Sequence, residues 1–168
     1  MNHRSVEANI LPSASLPKHY QIAFNLLPQI DVFVEDGYTK EEMKMVHETH
    51  KILNDYTIGI TATTVRVPVY RSHSESINLE LEGPLSVEAA KEVLAAFPGV
   101  IVEDDPAQQI YPMPLFTSDK DDVFVGRIRP DKSVQYGLNL WVTGDQIRKG
   151  AALNALQIAE YMIQEELV

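Results

Sequence analysis

The clearest pattern of hydrophobic and polar positions lies in the stretch GYTKEEMKMVHETHKILND. Apolar residues from Met43 to Leu53 recur there at the spacing of one helix face. Thr39 precedes them and Glu42 follows it by three positions, which is a capping-box signal. The pattern therefore predicts a helix from about 40 to 53.

Three other stretches of the first half favour extended backbone. The segment YQIAFNLLPQIDVF at 20–33 is apolar without helical spacing, which indicates a buried extended segment broken at Pro28. IGITATTVRVPV at 58–69 is rich in β-branched residues, so we expect a strand that ends around Val67 to Val69. SINLELEG at 76–83 alternates apolar and polar residues, as a half-buried strand does.

The second half continues with a helix and a short strand. Ser86 is a capping signal before VEAAKEVLAAF, and Pro98 and Gly99 end the predicted helix. VIVED at 100–104 reads as a short strand. The proline-containing, acidic stretch at 104–122 is then a long connection within a domain.

The remaining pattern predicts a hairpin and a terminal helix. DVFVGRIR and YGLNLWV are two strand-like runs separated by PDKSVQ. From Asp145 onward, one face of an amphipathic helix of about 20 residues is apolar. Its members are Ile147, Ala151, Ala155, Ile158, Ala159, Met162 and Ile163.

Charge and length exclude several classes of protein. The chain has 168 residues, enough for one domain with a buried core, and a formal charge of -10. Its 14 Lys and Arg residues are scattered, which argues against nucleic acid and acidic membrane surfaces as partners. Neither a long apolar run nor the apolar core of a signal peptide occurs, so we expect a cytoplasmic protein.

Cysteine is absent from the sequence. Disulfides, a thiolate metal site and a cysteine nucleophile supplied by this chain are therefore excluded. His47 and His50 lie one helical turn apart, but their spacing is not that of a zinc protease and no third ligand is marked. We favour two ordinary histidines of a helix face and predict no metal. No glycine-rich phosphate loop is present.

Four residues are candidates for binding or proton transfer. Glu41 and Lys44 are three apart on the predicted helix, where they could hold a zwitterion or a phosphate, although such pairs are more often solvated. Arg66 could present a bidentate fork to a carboxylate, and His73 could transfer protons near neutral pH. An ordinary surface arginine and a hydrogen-bonded loop histidine remain the alternative from residue pattern alone.

Several long motifs together resemble the C-terminal domain of bacterial aspartate-semialdehyde dehydrogenases. They are HYQIAFNLLPQIDVFVEDGYTKEEMKMVHETHKIL, RVPVYRSHSES, DDVFVGRIR and GLNLWVTGDQIRKGAALNALQIAE, in the family's order over roughly residues 10–166. The family reduces L-aspartyl-4-phosphate to L-aspartate-4-semialdehyde with NADPH, through a thioester on a cysteine. This reaction belongs to lysine, threonine and methionine biosynthesis.

The resemblance implies a role for each candidate residue. Arg66 matches the arginine that binds the substrate carboxylate, and His73 matches the general acid-base that serves the cysteine. Glu41 and Lys44 match the pair that contacts the substrate amino group and the phosphate. Gln146 stands where the family's DNLRKG motif usually has asparagine, a position near the cofactor, so it is the candidate for a cofactor contact.

The resemblance also implies a fold and partners. We expect an α+β domain like the C-terminal domain of glyceraldehyde-3-phosphate dehydrogenase, with a mixed, largely antiparallel sheet covered by helices. Residues 1–168 would form one domain for dimerisation and substrate binding, and the helix at 145–166 would pack on an NADP-binding domain. The family's cysteine and NADP-binding Rossmann domain precede this region, so a homodimer, a separate N-terminal half and a small-molecule substrate are the expected partners.

Alone, the chain is expected to be inactive, because the cysteine and most NADP contacts are missing. The chain should bend between Arg66 and His73, since a straight strand would separate them by about 23 Å, too far for one small substrate. We expect that turn between Pro68 and Ser72, and an exposed apolar stripe on the terminal helix. Two alternatives stay open, which are a non-catalytic binding and dimerisation module and a relative of N-acetyl-gamma-glutamyl-phosphate reductase.

Overall fold

The computed structural model describes residues 16–168. The chain divides into two compact units, Met1–Pro68 and Val69–Val168. Among the residues described, no helix combines the length and the apolar character required to cross a bilayer. Each unit is described by itself below.

The first unit is organised around one helix. Helix α1 spans Lys40–Leu53, as the sequence pattern predicts, and a 3-10 turn at Glu35–Gly37 precedes it. The Thr39 side chain accepts a hydrogen bond from the Glu42 amide, while the Glu42 side chain accepts one from the Thr39 amide. Both halves of the predicted capping box are therefore present, and two amides of the first turn are satisfied.

The segment 20–33 differs from its prediction as a buried extended segment. Of its residues, Leu27 alone is buried, and Phe24 is fully exposed. Phe24 and Asp31 have positive φ angles of 58° and 66°, so the backbone turns twice and cannot present a continuous apolar face. The prediction of a buried extended segment was wrong for this reason.

The strand predicted at 58–69 does not form. This stretch makes a single isolated bridge, in which the Arg66 amide and carbonyl bond the carbonyl and amide of Leu27. The Thr64 amide instead donates to the Glu42 carboxylate at 2.8 Å. β-Branched residues favour a strand only where a neighbouring strand is available, and here a side chain takes the place of that neighbour.

The second unit contains a four-stranded sheet. Its strands are β1 (His73–Glu80), β2 (Val100–Val102), β3 (Val123–Asp131) and β4 (Gly137–Gly144). They lie in the order β1-β4-β3-β2, and only the β2/β3 pair is parallel. The mixed, largely antiparallel sheet and the predicted hairpin are confirmed. β1 begins three residues earlier than predicted, so His73 belongs to the strand.

The core of this unit lies between the sheet and helix α2, which spans Val87–Ala96. Ser86 caps the helix by accepting the Ala89 amide, as predicted. The buried apolar residues come from α2, β3 and β4, and flanking residues of β1 and β2 pack against them. The cluster comprises Ala90, Val125, Ile128, Leu138 and Leu140. Burial of this face explains the α+β layering.

A bulge in β3 is held by a buried carboxylate. The pairing register shifts between Gly126 and Arg129, and Arg127 has a φ of 52°. Asp104 accepts the Arg127 amide at 2.7 Å and the Ile128 amide at 3.2 Å. Lys91 on α2 pairs with the same carboxylate at 2.8 Å. The long connection therefore fixes the shape of the strand, and it also contains one helical turn, α3 (Pro114–Thr117).

The end of the chain is helical, but it starts differently from the prediction. Residues Arg148–Ala152 form a π-helical turn, and helix α4 follows at Leu153–Gln164. The regular α-helix is thus shorter than the predicted one of about 20 residues. The turn that follows Asp145 is a wider π-helical turn and not an α-helical one. The apolar stripe is exposed as expected, since Ile147, Ile158 and Ile163 are all more than half exposed.

Candidate active site

Glu41 and Lys44 lie in the first turns of α1, and their side chains form an ion pair at 3.5 Å. The Lys44 side chain is 52% exposed and that of Glu41 is 35% exposed. A pair of this kind contributes little to stability, because water screens it. The two opposite charges are therefore available to a zwitterionic or phosphorylated ligand.

A buried carboxylate next to this pair fixes the start of α1. Glu42 accepts the Thr39 amide at 2.7 Å with one oxygen and the Thr64 amide at 2.8 Å with the other. Burial by itself would raise the pKa of Glu42, but these bonds and those of the two threonine hydroxyls hold it below its ordinary value. The carboxylate thereby ties residue 64 to the helix that carries Glu41 and Lys44.

Arg66 lies two residues beyond this junction and has a guanidinium without a partner. Its backbone is fixed by the two hydrogen bonds to Leu27. Its Nε is buried without a hydrogen-bond acceptor, and among residues 16–168 no carboxylate forms an ion pair with it. A buried donor left unsatisfied costs free energy, which an incoming carboxylate would remove.

Arg71 shares a buried Nε without an acceptor but differs from Arg66 in its ion pairs. Its Nη1 contacts Asp119 at 2.5 Å and its Nη2 contacts Asp145 at 2.7 Å. Between the two arginines the chain bends at Pro68, Tyr70 and Arg71, so the predicted turn is confirmed. The arginine of this motif that is already neutralised is therefore Arg71, and the one that remains free for a ligand is Arg66.

His73 and Gln146 are linked through the residue between Arg71 and His73. Ser72 has a φ of 72°, and its amide donates to the Gln146 Oε1 at 2.9 Å. The Ser72 hydroxyl lies 3.2 Å from the hydroxyl of Ser118. His73 itself begins β1 opposite Gly144 and has an exposed side chain. Its ring can therefore reach a ligand without first breaking a contact within the strand.

Asp145 is the fully buried anchor of this second group. It accepts the amides of Asp119 and Ile147 at 2.8 and 2.9 Å and also pairs with Arg71. Burial would raise the pKa of this carboxyl, but the backbone donors and the Arg71 guanidinium keep it lowered. Asp145 therefore stays ionised and holds the turn that carries Gln146.

An open cavity of about 350 Å³ lies elsewhere in the second unit. Its lining includes Tyr111, Arg127, Arg129 and Trp141, and none of the five predicted site residues. The predicted residues thus fall into two groups. Glu41, Lys44 and Arg66 belong to the first unit, and His73 and Gln146 to the second.

Sequence reasoning missed the residues that hold these groups in place. The bond from Glu42 to Thr64 joins positions 22 apart, and that between Ser72 and Gln146 joins positions 74 apart. Such pairings leave no periodic signal in one sequence. Among the residues that hold these groups, Asp145 could have been found from the sequence, because an aspartate just before a helix is a capping signal.

His47 and His50 lie on α1 as predicted. The His50 Nε2 is 2.7 Å from the Ile58 carbonyl oxygen, and its ring is tilted against Tyr56 with centroids 5.6 Å apart. In the part of the chain that the structure describes, no cluster of three potential metal ligands occurs. His50 is thus occupied in joining the end of α1 to the following loop.

Comparison with known proteins identifies relatives among the aspartate-semialdehyde dehydrogenases. Residues 3–149 match the family model for the semialdehyde dehydrogenase dimerisation domain. Aspartate-semialdehyde dehydrogenase of Aquifex aeolicus is 55% identical over 162 residues, which is 96% of this chain and 47% of that protein. The Bacillus subtilis enzyme is 48% identical and aligns over the whole chain and 49% of its own length. The chain therefore spans about half the length of the relatives it matches.

Solved structures of aspartate semialdehyde dehydrogenases have a similar fold. Aspartate semialdehyde dehydrogenase II from Vibrio cholerae, complexed with ASA, has a TM-score of 0.82 and 46% identity over 86% of this chain and 42% of its own. The Candida albicans enzyme with NADP has a TM-score of 0.69 and 25% identity over 88% of this chain and 46% of its own. These likenesses confirm the expected fold class. The chain belongs to the semialdehyde dehydrogenase dimerisation-domain family.

Proposed function

We propose that this chain is the substrate-binding and dimerisation half of an NADPH-dependent aspartate-semialdehyde dehydrogenase. The family match and the share of the relatives that it spans support this role. The 168 residues contain no cysteine, so the nucleophile of the family's thioester chemistry must come from another segment. That segment would also provide most of the contacts to NADP, which supplies the hydride. This chain is then inactive by itself.

The observation that carries the proposal is the state of Arg66. Its backbone is fixed, its Nε is buried without an acceptor, and no described carboxylate pairs with its guanidinium. A fixed arginine without a counter-ion is suited to bidentate binding of a carboxylate. Arg71, five residues away, is not suited to that role because two aspartates already occupy it.

The other predicted residues fit the same reaction. Glu41 would accept a hydrogen bond from the substrate ammonium group, and Lys44 would neutralise the phosphate that leaves. His73 would accept the proton of the cysteine thiol before the sulfur attacks the acyl phosphate. It would return a proton when the thiolate is released at the end of the reaction. The exposed Glu41–Lys44 pair and the exposed His73 ring support these roles, since neither must break a buried contact to act.

The family description also supports a homodimer as the assembly. The alternative of an N-acetyl-gamma-glutamyl-phosphate reductase receives no support from the relatives described above. A non-catalytic module would retain substrate binding at Arg66 but gain no activity from a catalytic partner.

The test is to assay this chain alone and after assembly with a cysteine-bearing, NADP-binding half from a close relative. We expect phosphate-dependent reduction of NADP with L-aspartate-4-semialdehyde only from the assembly. Arg66→Lys should then lower kcat/KM about 100-fold, because the bidentate contact is lost. Arg129→Lys is the matched control and should leave kcat/KM unchanged. A folded assembly without activity would disprove the catalytic role and leave the non-catalytic module.

A further inference from the structure

The backbone that leads into His73 is strained. Ser72 has a φ of 72°, in the left-handed region that residues with a side chain seldom occupy. Such a conformation persists only where the surroundings fix it. Ser72 is 3% exposed, so its surroundings are protein groups.

Two contacts hold Ser72, and two ion pairs hold its neighbour Arg71. The Ser72 amide donates to the Gln146 Oε1 at 2.9 Å, and its hydroxyl lies 3.2 Å from that of Ser118. Arg71 forms ion pairs with Asp119 and Asp145. Asp145 directly precedes Gln146, so one turn of the chain holds both residues that lead into His73.

We propose that Gln146 is a positioning residue for His73 and acts through the Ser72 amide. The inference rests on the proposed function, which assigns proton transfer to His73. A peptide unit held at Ser72 sets the direction in which the next residue enters β1, and with it the position of the imidazole. The group that holds Ser72 must be an acceptor, so the carboxamide oxygen of Gln146 is the atom that acts.

The length of the Gln146 side chain matters for the same reason. An asparagine at this position, which is usual in the related motif, is one methylene shorter and would leave its oxygen beyond hydrogen-bonding distance of the Ser72 amide. The departure from that motif thus has a local physical reason. The hydrogen bond thereby couples the start of the terminal helix to the backbone that leads into His73.

The proposal predicts a different kinetic effect from a cofactor contact. In the assembled enzyme, Gln146→Ala and Gln146→Asn should lower kcat about 10-fold, because displacement of a proton-transfer group by a fraction of an ångström is costly. The KM for NADP should stay within about twofold of its original value, because the cofactor loses no contact. Gln146→Glu keeps an acceptor oxygen at the same reach and should retain kcat within about threefold.

A direct readout is hydrogen exchange of the backbone peptide that contains Ser72, measured by mass spectrometry on the same assemblies. Exchange should accelerate in Gln146→Ala and Gln146→Asn and stay slow in Gln146→Glu. Unchanged exchange in Gln146→Ala would overturn the proposal. A raised KM for NADP with an unchanged kcat, or a Gln146→Glu variant as impaired as Gln146→Ala, would also overturn it and indicate a cofactor contact.

Failure of the proposed function is recognised separately. If His73→Asn leaves kcat intact, the proton-transfer role of His73 is wrong, whatever the Gln146 variants show. The exchange of the Ser72 amide would still report whether Gln146 holds this backbone. If His73→Asn abolishes activity and the Gln146 variants change neither kcat nor exchange, only the positioning role fails.

Discussion

The two units of this chain differ in their cores, although both contain buried carboxylates. In the first unit, the buried residues between 16 and 68 are Leu27, Thr39, Glu42 and Thr64, and the last three are joined by hydrogen bonds to one carboxylate. In the second unit, the buried cluster is apolar and lies between the sheet and α2. Hydrogen bonds to a carboxylate depend on its ionisation, whereas apolar burial does not.

The difference has a functional meaning. The residues proposed to grip the substrate, Glu41, Lys44 and Arg66, surround the polar junction of the first unit. A directional network fixes positions and angles, because each bond requires a particular geometry. The second unit offers a stable sheet on which His73 is placed by a few additional contacts. The substrate binding and the proton transfer proposed for this chain would therefore depend on separate stabilising interactions.

The largest effect on stability is expected from the apolar cluster. Leu138 is 3% exposed and lies on β4 in the centre of the sheet. Leu138→Ala should lower the free energy of unfolding by about 3 kcal/mol, through lost apolar burial and a cavity. Urea denaturation at pH 5 and pH 8 should give the same loss. Val93→Ala, at an exposed position of α2, is the control; an equal loss there would contradict the assigned core.

An intermediate effect is expected from the polar junction. Glu42→Gln keeps one acceptor oxygen but replaces the other with an NH2 group, which then faces a backbone amide donor. The substitution should lower the free energy of unfolding by about 2 kcal/mol at pH 7. The pKa of Glu42 is lowered in the folded state, so its contribution is complete above about pH 5 and is lost as the pH falls through the folded pKa. The difference between the original protein and Glu42→Gln should therefore shrink in urea titrations from pH 5 to pH 3.

Glu48→Gln, on the exposed side of the same helix, is the matched control for this titration. Its stability should follow that of the original protein at every pH. A Glu42→Gln variant with the same loss at pH 3 and pH 7 would show that the junction does not depend on the ionised carboxylate. The contrast between the two units would then fail.

The smallest effect on stability is expected from Lys44. Its ion pair with Glu41 is exposed, so Lys44→Gln should change the free energy of unfolding by less than about 0.5 kcal/mol. In the assembled enzyme the same substitution should lower kcat/KM about 10- to 100-fold, because a charged contact to phosphate is lost. A loss of stability with retained activity would place Lys44 among the residues that maintain the fold.

The sequence predicted those elements whose signals are local. α1 and α2 have capping residues and helical spacing, and the β3/β4 hairpin joins two strand-like runs through a short loop. The stretch 58–69 has strand propensity, but Thr64 donates to Glu42 and so has no ladder. At 20–33, Phe24 and Asp31 have positive φ angles, for which the hydrophobic pattern of the segment carries no signal.

Residue type and spacing marked four candidate residues, but pattern alone favoured ordinary surface roles for them. The family resemblance implied their binding and catalytic roles and added Gln146. Pattern could not separate Arg66 from Arg71, since both are arginines near the end of the same extended stretch. Tertiary contacts separate them: two aspartates distant in sequence neutralise Arg71, while no carboxylate among residues 16–168 pairs with Arg66. The role proposed for Gln146 likewise depends on a hydrogen bond between positions 74 apart.

The strained conformation of Ser72 has a consequence for protein engineering. A glycine adopts a φ of 72° without steric cost, so a screen for thermostability alone would favour Ser72→Gly. That variant would remove the hydroxyl next to Ser118 and make the segment before His73 more mobile. Under the proposed function, a thermostability campaign should therefore keep serine at this position, because a more mobile segment before His73 would slow turnover of the assembled enzyme.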